Sequence, residues 1–310
     1  MSAARVTLTG ATGLIGPRLV TALRARDYEV TVLTRDPDRA REKLGAVEAI
    51  HWDLMNEVAP PAALVGRDAV VHLAGEPVAQ RWNASVKRAI RESRVRGTHN
   101  LIEGLTLAGQ SQIGERPSVL ISSSATGYYG PRGEEPLDED APAGTDFLAE
   151  VCVEWEREAA RAQDLGMRTV QVRTGIVLDA SGGALSKMLP PFRLGVGGPV
   201  AGGRQYMSWI HTEDLLGIML AALEDERWSG PVNGTAPEPL SNRDFSRALG
   251  RVLKRPAFAP VPALPLRLLY GEMAEIITTG ARVVPAKALV LGYEFLHPNL
   301  DEALRSALGS

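Results

Sequence analysis

Three positions without side chains sit close to the start of the chain, in the stretch "VTLTGATGLIG". Gly10, Gly13 and Gly16 follow a β-branched apolar run and open a segment of helical pattern. The chemistry such a join performs is anion capture. Gly10 permits a tight turn out of a strand, and Gly13 lets the backbone approach a pyrophosphate. Gly16 lets the helix pack closely on the strand while its first N–H groups face the anion. A second candidate closes the next apolar run, "EVTVLTR". NAD sites place an acid at that strand tip for the ribose hydroxyls, whereas NADP sites use a nearby arginine for the 2′-phosphate. Here Thr34 holds the tip and Arg35 follows, so the expected cofactor is NADP(H). Asp36, just before Pro37, reads as a helix cap. The histidines are too dispersed, and the single Cys152 too isolated, for a metal site to be expected. Cys152 reads as a buried helix residue, with no histidine near it in sequence to make it a nucleophile.

The elements that must position these groups are short apolar runs alternating with helical patterns. The runs are "RVTLTG", "EVTVLTR", "VEAIHWDL", "AVVHLAG", "SVLISSS" and "RTVQVRTGIVL". Near-continuous Val/Ile/Leu stretches of this kind belong to strands buried on both faces. Between them lie "PRLVTALRARD", with a proline near its start, and the longer "ASVKRAIRESRVRGTHNLIEGLTLAG". Strand, helix, strand with right-handed crossovers gives an α/β fold with a doubly wound parallel sheet. Residues 1–178 form this Rossmann-type domain, and a strand and helix return to it at about 206–233. Residues 179–205, rich in Gly and Pro and weakly periodic, and 234–310 form a smaller substrate-side lobe. Two helical patterns fall in the latter, "NRDFSRALGRVLK" and "LPLRLLYGEMAEIITTG". The lobe is expected over the C-terminal strand ends, where open α/β sheets bind ligands.

The 310 residues are 45% hydrophobic, enough for a large core, and carry a net charge of -3. No basic field favours nucleic acid. No apolar run approaches the ~20 residues of a membrane span, and "MSAARVTLTG" contains no apolar signal region. With one cysteine there is no internal disulfide, which fits a reducing compartment. The expectation is a cytoplasmic protein, monomer or homodimer, whose partner is a small molecule rather than nucleic acid or membrane.

With "TGATGLIG", "HLAG" and "SSSATGYYG" in hand, the chain resembles the extended short-chain dehydrogenase/reductases, in the epimerase and dehydratase branch. "GGRQYMSWIHTEDL", "NGTAPEPLSNRDF", "RPAFAPVPALPLRLLYGE" and "GYEFLHPNLDEAL" are similar to an atypical subfamily of epimerase-family or cell-division-inhibitor-like proteins. The resemblance spans almost the whole chain and implies a parallel sheet of about seven strands with a small C-terminal lobe. It assigns Gly10, Gly13, Leu14, Ile15 and Gly16 to the pyrophosphate loop and Arg35 to the 2′-phosphate. It assigns Asp53 and Leu54 to the adenine side, and Leu73, Ala74 and Gly75 to the ribose side. Ser122, Ser123 and Ser124 end the fifth strand, with Ser122 on the cofactor and Ser124 in the place of the family's catalytic Ser/Thr. Thr174 and Gly175 fall where the family passes the nicotinamide.

Two departures bear on function. The superfamily's proton chemistry uses a Tyr-x-x-x-Lys pair, in which the ammonium lowers the phenol pKa. At that place the chain reads "GTDFLAEVCVEWEREA", so either Phe147/Val151 or Leu148/Cys152 occupies the pair. Tyr128 and Tyr129, shortly after Ser124, are the substitute relays; the alternative for Tyr129 is packing in the "YYG" turn. Nucleotide-sugar enzymes of the family also carry arginines where this chain has Met207 and Glu294, although Arg204 lies close by. Without that bidentate grip a nucleotide-diphosphate sugar is disfavoured. Arg94, Arg81 and Glu76 are further pocket candidates, and His211 reads as structural. Two functions follow: an NADP(H)-dependent oxidoreductase or epimerase-like enzyme using Ser124 with Tyr128 or Tyr129, or an NADPH-binding sensor or regulator with little or no turnover.

Overall fold

In the structure, a computed structural model describing residues 4–110 and 114–309, seven parallel strands form the central layer. They are β1 (Arg5–Thr9), β2 (Glu29–Thr34), β3 (Glu48–His51), β4 (Ala69–His72), β5 (Val119–Ala125), β6 (Arg168–Thr174) and, last in the sequence, β9 (Gly230–Gly234). Two short strands, β7 (Ile176–Leu178) and β8 (Trp209–His211), pair with each other outside this sheet. The order across the sheet is β9-β6-β5-β4-β1-β2-β3. The order reverses direction at β1, so the crevice for a dinucleotide opens beyond the C-terminal ends of β1 and β4.

Each strand has apolar side chains on both faces because each face is covered. On one face α1 (Gly16–Arg24) and α6 (Thr212–Glu224) bury Leu19, Leu23, Leu215 and Met219 against Leu8, Val32 and Val71. On the other, α3 (Ala84–Gly109) packs against α4 (Phe147–Ala160), burying Leu101, Ile102 and Leu105 against Val70 and Leu120. Asn83 starts the long α3 by accepting the Val86 N–H at 2.9 Å. Asp146 does the same for α4 through the Ala149 N–H at 2.8 Å.

Three local readings change in three dimensions. The run "RTVQVRTGIVL" is two strands, because Gly175 turns away: its N–H bonds to Gly234 and the next N–H bonds to Ser208. A Cβ at Gly175 would overlap the Ser208 carbonyl. The pattern "LPLRLLYGEMAEIITTG" is also two elements, α8 (Ala263–Tyr270) and α9 (Ala274–Thr278), broken where Gly271 adopts φ +63°. The weakly periodic 179–205 stretch contains a helix, α5 (Gly183–Arg193). Leu185, Leu189 and Phe192 are its buried stripe, and its two prolines fall near its C-terminal end. With α7 (Asn242–Leu253) and α10 (Leu300–Leu308), α5 builds a second core around Trp209, Phe245 and Leu304. Among the described residues no helix is long and apolar enough to cross a membrane.

Candidate functional site

The glycine loop leaves β1 with Gly10 at φ +69°. A side chain there would also collide with the backbone of Leu73 and Ala74, whose atoms lie 2.6 and 2.7 Å from the Cβ position. Gly10 therefore does more than turn: it lets the exits of β1 and β4 run in contact. Around Gly13 the space is open apart from the Gly10 carbonyl oxygen, 3.2 Å from the Cβ position, which also accepts the Gly13 N–H at 3.0 Å. A Cβ on Gly16 would overlap Ala11. Leu14 rests against Gly182, and Ile15 packs on the core. This open concavity at a helix N-terminus fits a pyrophosphate.

Beneath the loop lies a buried chain of hydrogen bonds. The Thr9 hydroxyl and His72 Nδ1 are 2.7 Å apart, and His72 Nε2 and the Thr98 hydroxyl 3.1 Å. The Ala74 N–H donates to Thr9 at 3.3 Å. Burial holds the His72 pKa down at about 4, so the ring is neutral and bridges two hydroxyls. In the sequence His72 shows only as a polar residue inside the apolar run "AVVHLAG", and Thr98 carries no signal of its own.

Arg35 leaves β2 exposed, and its guanidinium has no hydrogen-bond or ion-pair partner among the described residues. Asp36 caps α2 (Pro37–Leu44) through the Arg39 N–H at 3.0 Å. A free guanidinium at this tip suits a phosphate. Asp53 spends its carboxylate locally, on the Asn56 amide at 2.7 Å and the Met55 N–H at 3.1 Å. These bonds, with a smaller effect of Arg35, hold its pKa down. Leu54 lies against Gly97 of α3. Gly75 lies beside the Arg94 guanidinium, which donates to the Glu76 carbonyl at 3.0 Å and stacks 5.1 Å from the Trp155 ring. Arg94 thus braces the loop after β4. Ala125, Thr174 and Gly234 lie side by side where β5, β6 and β9 end.

The side chains expected to do chemistry meet Glu156 and Arg173. Ser122 is fully buried and its hydroxyl donates to the Ser123 carbonyl at 3.2 Å. Ser124 is 3% exposed and donates to Glu156 of α4 at 2.6 Å. Glu156 also accepts two hydrogen bonds from Arg173, both 2.9 Å. Burial opposes charge on Arg173, but bonding to and attraction by Glu156 outweigh it and raise the pKa. Arg173 donates in turn to the Tyr129 hydroxyl at 2.9 Å, and that hydroxyl donates to Asn233 at 2.7 Å. Burial pushes the Tyr129 phenol up to about 12. Tyr128 lies flat against Arg173, whose guanidinium carbon is 3.5 Å from the ring centroid. Both tyrosines therefore belong to one buried polar network with Ser124, on the inner side of the segment that follows β5.

A cavity of about 130 Å³ opens on the other side of that segment. Thr126, Gly127 and Leu148 line one wall, Ile276, Thr279 and Ala281 another, and Tyr206 and Ser208 contribute their side. Of the two possible registers, Leu148/Cys152 is the one whose first residue lines this cavity. Phe147 instead packs edge-on against Trp82 at 5.3 Å. Cys152 lies behind the wall, its thiol pushed up to about 12 by burial, and no thiolate is available. The lining holds one charged side chain, Asp146, and no cation. Met207 does not line it: that side chain is buried in the lobe core and its sulfur accepts the Asn242 amide at 3.2 Å. Glu294 is exposed on the α6 side, where its neighbour Tyr293 bonds to Asp214. The cavity lining offers no cation to grip a diphosphate. The hydroxyls of Thr126 and Tyr206 have no hydrogen-bond partner among the described residues. Neither was singled out in the sequence, because no motif separates them from their neighbours.

A seven-stranded parallel sheet of this order, with a glycine loop at the first strand exit, defines a dinucleotide-binding protein of the Rossmann class. The model of the NAD dependent epimerase/dehydratase family matches residues 6–233, and a domain of unknown function matches 261–307. The chain belongs to that epimerase/dehydratase family. It is 40% identical over 303 residues to the chloroplastic epimerase family protein SDR39U1 homolog of Arabidopsis thaliana, covering 98% of this chain and 86% of that one. It is 37% identical to epimerase family protein SDR39U1 of Homo sapiens, covering 97% and 98%. The crystal structure of the human protein (isoform 2) with NADPH superposes with a TM-score of 0.86 at 35% identity, over 99% of both chains.

Proposed function

We propose that this chain is an NADP(H)-dependent oxidoreductase or epimerase-like enzyme for a small, uncharged, polar molecule. The observation that carries the reading is the cavity beside the end of β5, walled by Leu148 and Ile276 and free of cations. Arg35 would take the 2′-phosphate and the Gly10–Gly16 loop the pyrophosphate, and the human relative crystallised with NADPH supports that choice. The chemistry such a cofactor supplies is hydride exchange with a carbonyl or alcohol carbon. The chain's own part is to hold the substrate oxygen. Thr126 and Tyr206 offer uncommitted hydroxyls at the wall, whereas the Ser124 hydroxyl already donates its hydrogen bond to Glu156. Apolar Leu148 and Ile276 exclude water from the reacting carbon. Ser124, Tyr128 and Tyr129 keep their claim as the catalytic set only if Glu156 releases the Ser124 hydroxyl when substrate binds.

A second reading, the NADPH-binding sensor, draws on the missing phenol and ammonium: Phe147/Val151 or Leu148/Cys152 fall where that pair would be. Following cofactor absorbance with neutral and anionic carbonyls and alcohols, UDP-sugars included, tests both. Turnover of neutral compounds alone supports the enzyme as described. Turnover of UDP-sugars overturns the substrate class. Tight NADPH binding with no turnover across the panel favours the sensor.

A further inference from the structure

On the lobe, away from the cofactor loop, a groove of about 680 Å³ runs along α7. Five of its lining side chains are cations and none is an acid: Arg243, Arg247, Arg251, Lys254 and Arg255, with Phe258 at the end. In a chain of net charge -3 this is a local reversal of sign. Arg243, Arg247 and Arg251 recur every fourth residue, so they form one stripe of like charge, an arrangement that weakens a helix. Arg243 also stands in the first turn, where the helix dipole disfavours a cation. Arg247 and Arg251 find partial partners in Asp244 and Asp301, while Lys254 and Arg255 form no ion pair among the described residues.

The groove has an apolar rim. Phe258 and Leu194 are each 79% exposed and Val196 is 59% exposed. The two segments are adjacent: a Cβ on Gly195 would touch Pro256, and Pro199 lines the groove itself. Bare aliphatic and aromatic side chains around a cationic hollow have the composition of a face that settles on a lipid surface, with cations at the phosphates and apolar tips between the acyl chains. A second copy of this face would meet it cation to cation. A nucleic acid would leave Leu194 and Val196 without a partner.

We infer that the α7 groove and its Leu194–Val196–Phe258 rim form a docking face for an anionic lipid surface. Such a face needs no spanning helix, so the absence of an apolar run of that length does not bear on it. The test uses the full chain with vesicles of phosphatidylcholine alone or mixed equally with phosphatidylglycerol. The protein should float with the mixed vesicles only, and rising salt should release it. Lys254→Glu combined with Arg255→Glu should weaken partitioning at least about tenfold, given about fivefold for each cation lost near the surface. Leu194→Ser with Phe258→Ser should weaken it several-fold, with melting temperature and NADPH titration as folding controls. No binding to mixed vesicles overturns the inference. So does binding that ignores the serine variants, or equal binding to a DNA duplex with the rim replaced, which would mark a general polyanion site.

Discussion

Ser124 and Glu156 are joined by a 2.6 Å hydrogen bond between β5 and α4, and the serine is the donor. The hydroxyl that sequence resemblance aims at a substrate is spent on a half-buried carboxylate. Ser124→Ala should therefore read as a stability variant. Losing one bond to a charged acceptor costs about 1.5–3 kcal/mol, measured by denaturant unfolding, while NADPH affinity stays within a few-fold. A tenfold loss of NADPH affinity would place the hydroxyl at the cofactor instead.

The same carboxylate pairs with Arg173, which is 3% exposed. Glu156→Ala leaves a buried guanidinium without its counter-charge, and removing one partner of such a pair costs about 3–5 kcal/mol. Tyr129 and Tyr128, both in contact with Arg173, should lose order with it, visible in near-ultraviolet circular dichroism. An unchanged unfolding midpoint would show that the network carries no stability.

Arg35→Ala should remove most of the preference for NADPH over NADH. A tenfold loss of selectivity corresponds to ~1.4 kcal/mol. Titration of both cofactors against wild type and variant decides it. If the variant keeps the wild-type ratio, the 2′-phosphate is held elsewhere.

Gly13 and Gly10 should separate binding from folding. Only the Gly10 carbonyl oxygen stands near the Cβ position of Gly13, so Gly13→Val should fold and lose the dinucleotide. Gly10→Val meets both a positive φ and the backbone of β4's exit, so it should lower the melting temperature as well. Normal NADPH affinity in Gly13→Val would remove the loop from the binding site.

His72 and His211 give stability an acid limit. Burial holds each near pKa 4, below the usual 6.5. As pH falls from about 6.5 to about 4 the unfolded chain takes up protons that the folded chain refuses, so stability drops across that window and is complete above it. His211 also accepts the Glu213 N–H at the start of α6, a role asparagine can fill. His211→Asn should flatten the pH dependence by on the order of 2 kcal/mol between pH 7 and 4. An identical slope in the variant would assign the effect to other groups.

The glycine loop, the arginine at the β2 tip and the 26-residue α3 were legible from sequence. Each depends on local rules: which residues tolerate a turn, which cap a helix, which alternate along a strand. The split of "RTVQVRTGIVL" was not legible, because Gly175 turns only where Ser208 and Gly234 come to meet it. The helix α5 was hidden by its prolines and rests on a lobe core assembled from residues as distant as Leu304. The site divides in the same way. Sequence alone told that a phenol and an ammonium are missing from α4. Tertiary structure decided where the neighbouring side chains go: Leu148 to a cavity wall, Cys152 behind it, and Ser124 toward Glu156. Glu156, Arg173, Tyr129 and Asn233 come from four separate elements, and no local pattern encodes their meeting. Charge pairing in a buried, low-dielectric layer fixes the orientation of all four, and that layer exists only once the helices and the sheet have closed around it.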